Sequence, residues 1–177
     1  YHALLSNTTG DENIAIGKGA LDANTTANSN VAIGNNALGS NTTGSSNVAI
    51  GSGAADTSTT ASENTVVGFN ALTTCTTGGA NTAIGYVAMQ NLTEGTLNTA
   101  VGNQALTVIT TGSSNTAVGR EAGDAITTGS SNTAIGTQAL TSVTTASSNT
   151  AVGKASGESI TTTTNNTSVG ASSLDAR

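Results

Sequence analysis

A short pattern of polar and apolar residues, Asn-x-Ala-Ile-Gly, returns along the whole chain at a fixed interval of 17 residues. When the repeat is numbered from its Asn, position 1 is Asn in every copy, position 4 is Ile or Val, and position 5 is Gly. Position 3 is Ala except at Val66 and Ser168. The copies follow one another without insertion or deletion, and their glycines are Gly17, Gly34, Gly51, Gly68, Gly85, Gly102, Gly119, Gly136, Gly153 and Gly170. Self-similarity at a fixed period is typical of repeat architectures.

The period predicts an all-β chain folded as a parallel β-solenoid with one coil per repeat. A helical hairpin repeat needs more than about 30 residues, and Gly, Thr, Val and Ile at fixed places weaken helices. Each repeat has room for two short strands, one at positions 1–5 and one within positions 8–14. About ten coils, stacked about 4.8 Å apart, make a rod on the order of 50 Å long. Residues 1–177 form one array that begins and ends within a repeat, so we expect a segment of a longer fibre.

Alternation along a strand assigns its side chains to two faces. The Ile or Val of position 4 is the largest apolar group of the pentapeptide, and the pattern therefore predicts that it fills the coil. The Ala of position 3 and the Gly of position 5 then face outward, and a stripe of such small residues indicates close packing against another chain. In two neighbouring copies, the residues predicted to form the turn and core ladders are Asn81, Ile84, Gly85, Asn98, Val101 and Gly102.

Composition and charge exclude several classes of function. Only 8% of the residues are charged, the net charge is −6, and Lys and Arg together number 4, which argues against nucleic-acid or polybasic membrane binding. No apolar run approaches the roughly 20 residues of a membrane-spanning helix. One Cys and one His predict no metal site, no cofactor and no catalysis based on His. Asp22 and Asp56 lie two coils apart, near the spacing in inverting glycosidases, but no Trp and no long loop accompany them, so we expect no enzyme.

The motif Asn-x-Ala-Ile-Gly followed by x-x-Ala-Leu resembles the head repeats of trimeric autotransporter adhesins. With its Thr-Thr-Gly-Ser-Ser-Asn segment, the whole repeat resembles even more the repeats of phage tail fibres and related bacterial fibre proteins. The resemblance implies a left-handed parallel β-roll, a side-by-side homotrimer, and exposure on a virion or a bacterial cell surface. It also implies a host-cell glycan or protein receptor as partner. The adhesin heads have a shorter repeat, of about 14 residues, so the coil here must have a larger cross-section.

Two positions vary in an informative way. Position 12 changes along the rod from Asn to Ser58, Cys75 and then Leu, Ile or Val, which predicts an inward or axial column. The aromatic residues Tyr1, Phe69 and Tyr86 all fall at position 6, directly after the Gly turn, where we expect an exposed bend. The rings of Phe69 and Tyr86 are then about one coil apart and able to stack. They are the candidate contact with a sugar or protein, unless they cover the bend or pack on an adjacent chain.

Position 6 also carries cations that each have an acid four residues later. The sequence predicts exposed ion pairs across one bend, each contributing about 0–1 kcal/mol. These pairs are Lys18–Asp22, Arg120–Asp124 and Lys154–Glu158.

Two classes of function remain. The first is a structural and adhesive fibre segment that spaces or presents a receptor-binding surface outside the cell. The alternative is an ice-binding solenoid that uses the Thr ladders of positions 13 and 14. Because adjacent strand residues point to opposite faces, only one of these two ladders is expected to face outward.

Overall fold

The computed structural model describes residues 2–175, and within this range the chain forms ten parallel strands of three residues each. The strands follow one another in a single sheet in sequence order, and each residue pairs with the residue one repeat later, as Thr82 does with Thr99. The chain is therefore an all-β parallel solenoid with one coil per 17-residue repeat. The strands are β1 (Ile14–Ile16), β2 (Val31–Ile33), β3 (Val48–Ile50), β4 (Thr65–Val67), β5 (Thr82–Ile84), β6 (Thr99–Val101), β7 (Thr116–Val118), β8 (Thr133–Ile135), β9 (Thr150–Val152) and β10 (Thr167–Val169).

The second strand expected within positions 8–14 does not form in the described part of the chain. Positions 7 and 9 adopt left-handed backbone, with φ of 54° at Asn36 and 50° at Leu38. This conformation is incompatible with an extended strand and costs a residue such as Leu about 1–2 kcal/mol. This left-handed conformation is accompanied by hydrogen bonds to the next coil. The Leu38 N–H, for example, donates to the Ala54 carbonyl at 3.0 Å.

The assignment of the two strand faces from sequence is wrong. Ala83 at position 3 is 0% exposed, whereas Ile84 at position 4 is 38% exposed and Val101 is only half-buried. The last coil shows the reason, since the hydroxyls of Ser168 at position 3 and Ser173 at position 8 lie 2.6 Å apart across the coil interior. Positions 3 and 8 thus touch, and the side chains at position 3 are small, with Val66 the largest. The bulky residue of position 4 has to point outward.

The core consists of the small residues of positions 3 and 8 and larger side chains from positions 9 and 12. Leu72, Leu106 and Ile109 are fully buried. The expectation that position 12 faces inward is confirmed from Asn24 to Ile160, and the column changes from an Asn ladder to an apolar seam along the rod. Positions 9 and 12 together bury at most two large apolar side chains per described coil, which makes a thin core.

The Asn residues of position 1 form a continuous buried ladder through the rod. The Asn98 backbone N–H and Nδ2 both donate to Asn81 Oδ1, at 2.9 and 3.2 Å, and Nδ2 also donates to the Gly112 carbonyl at 2.9 Å. Asn98 Oδ1 in turn accepts from the backbone N–H and Nδ2 of Asn115, at 2.9 and 3.1 Å. Because an amide side chain both donates and accepts, each Asn can bond to the Asn of the preceding coil and to the Asn of the following coil.

Glycine at position 5 is required by both backbone conformation and space. Gly85 and Gly102 have φ of 141° and 140°, in a region that L side chains rarely adopt. A Cβ on Gly85 would also collide with the Gly102 carbonyl oxygen of the next coil. The close approach of successive coils at this turn excludes any side chain.

The contact between positions 3 and 8 predicts the effect of a larger side chain at Ala83. Ala83→Leu should lower the stability of the fold by about 1–3 kcal/mol, because the added volume has no space inside the coil. Thermal unfolding followed by circular dichroism measures this. The control is Thr82→Val on the outer face, which reproduces the residue of two other coils and should leave the melting temperature near that of the wild type. Equal melting temperatures for the Leu variant and the wild type would contradict the face assignment.

The Asn ladder predicts a second sensitive position. Asn98→Ala removes the acceptor of two donors of Asn115 and the donor to Gly112, leaving buried polar groups unpaired. We expect a loss of about 2–4 kcal/mol in the free energy of unfolding. Denaturant titration measures it, with Asn103→Ala at the exposed position 6 as control. A similar small effect of both substitutions would show that the ladder does not stabilise the rod.

Candidate interaction surface

The outward face of the sheet is formed by positions 2 and 4, and every one of its side chains is Val, Ile or Thr. These β-branched side chains have restricted χ1 angles and lose little entropy when a partner covers them. Position 4 presents Ile or Val in each coil, and position 2 presents Thr from β4 onward and apolar residues before that. The position 2 residues of the first three strands are Ile14, Val31 and Val48.

This sheet face carries no charge along its described length. Charged residues lie at its two edges instead, since position 6 follows the Gly turn on one side and position 17 precedes the Asn ladder on the other. The first edge carries Lys18, Arg120 and Lys154, and the second carries Glu12 and Glu63. An exposed, continuous apolar stripe with charged edges is typical of an interaction surface.

The aromatic residues of position 6 lie where the sequence predicted an exposed bend. Phe69 is 49% and Tyr86 is 53% exposed. Their rings stack with centroids 5.6 Å apart and an angle of 10° between the ring planes. The stacking expected from one-coil spacing is therefore confirmed, and Tyr1 lies outside the described residues.

The ion pairs predicted between position 6 and position 10 are absent from residues 2–175. Arg120 instead pairs with the adjacent Glu121 at 2.8 Å, and Glu121 also accepts a hydrogen bond from Gln138 at 2.9 Å. Position 10 follows two left-handed residues that turn it toward the coil. At this position Asp124 is half-buried. Its pKa is raised mainly by burial and further by the nearby Glu121 carboxylate. Burial also raises the pKa of Asp56.

The two Thr ladders differ in exposure, as alternation predicted. Position 14 faces solvent in every described coil, whereas position 13 is partly buried in most of them. The position 13 hydroxyls donate to the backbone carbonyl of the next coil, as Thr110 Oγ1 does to Thr127 at 3.2 Å. A two-rank array of free Thr hydroxyls therefore does not exist at positions 13 and 14.

Features of an enzyme site are sparse in the described residues. Burial raises the pKa of the Cys75 thiol to about 11, and this thiol donates to the Gly78 carbonyl at 3.2 Å. Residues 2–175 contain no cluster of three His, Cys, Asp or Glu side chains suited to a metal ion, and their surface has no pocket. Asp22 and Asp56 thus face no cleft in this part of the molecule. The same residues include no helix long and apolar enough to span a membrane.

The uncharged sheet face with its aromatic and charged edges is thus the most distinctive surface of the described rod. Comparison with known proteins adds no relative to this description, since no family model, no curated protein and no solved structure matches the chain.

Proposed function

We propose that the chain is a structural and adhesive segment of an extracellular fibre, in which three copies lie side by side. The observation that carries this proposal is the outer sheet face, where two ranks of Val, Ile and Thr run uninterrupted along the rod. A stripe of this kind is unusual on a solitary soluble protein and is typical of a surface covered by a partner. The partner that best fits a stripe with the period of the rod is another rod with the same period.

Lateral association would also add apolar burial to a rod whose own core is thin. Each coil buries few large side chains, and small cores are marginally stable on their own. Covering Ile84 and its equivalents would transfer apolar area from water, at about 25 cal/mol per Å². The interface is therefore expected at positions 2 and 4, not at the Ala and Gly of positions 3 and 5.

The number of chains and the winding follow from the resemblance of the repeats. Trimeric adhesin heads and phage tail fibres imply three chains, a left-handed β-roll, and a place on a virion or a bacterial cell surface. In such a fibre this segment spaces or presents a surface that contacts a host-cell glycan or protein receptor. Position 14 of each chain is exposed and lies outside the sheet face, so it would stay available for that contact.

Ice binding is the second candidate function, and one observation favours it. The regular array that faces outward is the Thr rank of position 2 beside the Ile or Val rank of position 4, not the Thr ladders of positions 13 and 14. A monomeric rod would leave this array of hydroxyl and methyl groups open to water. A monomer that shows thermal hysteresis would favour this function over the fibre.

The fibre proposal predicts that charge on the sheet face separates the copies. The double change Ile84→Asp with Val101→Asp should shift the sedimenting species from about three chains to one, because the carboxylates would lose water in the interface without gaining a partner. Sedimentation velocity measures the change, and circular dichroism reports whether the coils persist.

The matched control adds the same two charges to the exposed position 14, as Thr111→Asp with Thr128→Asp. It should sediment like the wild type. A sheet-face variant that sediments like the wild type would contradict the proposed interface.

A further inference from the structure

The first three repeats, residues 13–63, differ from the later ones in where they place their apolar side chains. In these N-terminal coils both outward positions of the sheet face are apolar, whereas from β4 onward position 2 is Thr in every strand. One end of the sheet face therefore carries a cluster of six β-branched apolar side chains that are exposed or half-buried. The members of this apolar cluster are Ile14, Ile16, Val31, Ile33, Val48 and Ile50.

The interior of the N-terminal coils is correspondingly poor in apolar side chains. Position 12 is Asn or Ser in these coils, whereas it is Leu, Ile or Val in every coil from Leu92 to Ile160. Leu21 and Leu38 are the only buried apolar side chains of residues 13–63 that are larger than Ala. The next three repeats bury more, with Val66, Leu72, Met89, Leu92, Leu106 and Ile109 all fully buried.

The third coil, residues 47–63, has the weakest interior. Its buried apolar side chains are all alanines, namely Ala49, Ala54, Ala55 and Ala61. The Asn column of position 12 also ends in this coil, where Ser58 takes the place of the next Asn. Asn41 Oδ1 and Ser58 Oγ are both buried and have no hydrogen-bond partner among the described residues. Because unpaired buried polar atoms oppose folding, this end of the column weakens the coil further.

The location of an apolar side chain decides whether folding of one chain is enough to remove it from water. In the later coils the apolar group of position 12 is buried inside the same chain, as Ile126 is. In the N-terminal coils the additional apolar group stands at position 2 of the sheet face instead. It leaves water only when another molecule covers that face, so these coils gain their missing apolar burial by association.

A second copy of the chain fits the apolar cluster better than an unrelated partner does. The cluster is continuous with the rest of the sheet face, which has the period of the rod and is the proposed contact between copies. The edges beside the cluster are also opposite in charge, since position 6 carries Lys18 and no acid, and position 17 carries Glu12 and Glu63 and no base. In a cyclic arrangement of parallel copies these two edges face each other.

We propose that the N-terminal coils complete their folding only when a second copy of the chain covers their apolar cluster. Assembly and folding are thus coupled at this end of the rod, whereas the later coils stay folded in a single chain. The inference rests on the proposed side-by-side fibre and adds to it the part of the sheet face on which the stability of each copy depends.

Two coils of the same chain form a matched pair for testing this coupling. Residues 47–63 and 115–131 stand equally far from the two ends of the chain, so fraying from the ends affects them alike. Neither coil has a Leu at position 9. They differ in the place of their apolar group, which is inside the coil of residues 115–131 and on the sheet face of residues 47–63.

Hydrogen exchange followed by mass spectrometry compares the two coils in assembled and dissociated chains. In the assembled wild type we expect similar exchange rates, because both coils then have their apolar groups covered. Dissociated chains are obtained by diluting the wild type until it sediments as single chains, and independently with Ile84→Asp plus Val101→Asp, which leaves both coils unchanged. In dissociated chains residues 47–63 should exchange about tenfold faster than residues 115–131, equivalent to about 1.4 kcal/mol.

A substitution inside the third coil tests the cause of this difference. Ser58→Val, added to the Asp variant, supplies the residue that stands at the same position as Val143 and removes an unpaired hydroxyl. We expect it to slow the exchange of residues 47–63 to the rate of residues 115–131 while the chain stays single. The matched control is Thr60→Val at the exposed position 14 of the same coil, which should leave the exchange unchanged.

The other outcomes overturn distinct claims. Equal exchange of the two coils in the diluted wild type would overturn the coupling and leave the fibre proposal intact. Unchanged exchange after Ser58→Val would show that the poor interior is not the cause, and would also overturn the coupling. A wild type that sediments as a 17.0 kDa chain at every concentration would contradict the side-by-side fibre itself, and with it the second copy as partner.

Discussion

Every coil of this rod stacks on a near-copy of itself, and each side chain must therefore tolerate its own equivalent about 4.8 Å above and below. Asn at position 1 meets this condition because its amide donates to one neighbour and accepts from the other. Gly at position 5 meets it because no side chain fits between successive turns at Gly85 and Gly102. A charge would face a like charge at the same position, which agrees with a composition of only 8% charged residues. The strict 17-residue period of the sequence therefore follows from this stacking.

The second constraint is the thinness of each coil. Because positions 3 and 8 touch across the interior, as Ser168 and Ser173 show, the strand buries a small side chain there, and Val66 is the largest one in the described coils. Ile84 and its equivalents then lie on the outside and form the uncharged sheet face. The same packing that leaves the core small thus creates the surface by which the rod is proposed to join its neighbours. Stability and assembly are linked through the choice of Ala at position 3.

Periodicity alone was sufficient to predict the parallel solenoid, its one-repeat strand register, the burial of position 12 and the stacking of Phe69 on Tyr86. Periodicity failed for the assignment of the two strand faces, which depends on the width of the coil interior. The larger residue, Ile84, was expected inside because it is the largest apolar group of its strand, but the interior is too narrow to hold it. Periodicity also missed the left-handed conformation of Leu38, which replaces a second strand by turns, since Leu gives no local signal for that backbone. The pairing of Arg120 with Glu121 was also missed. The left-handed turn after position 6 decides which acid the guanidinium meets, and the sequence contains no signal for that turn.

The central claim is that the sheet face joins copies side by side, and mass per unit length tests it most directly. Small-angle X-ray scattering of the full chain gives the mass, the rod length and the cross-section in one measurement. The account predicts about three times the chain mass of 17.0 kDa in a particle no longer than a single rod, on the order of 50 Å. A rod of that length with the mass of one chain would contradict lateral assembly. A particle three times as long, with the cross-section of one chain, would show end-to-end association instead.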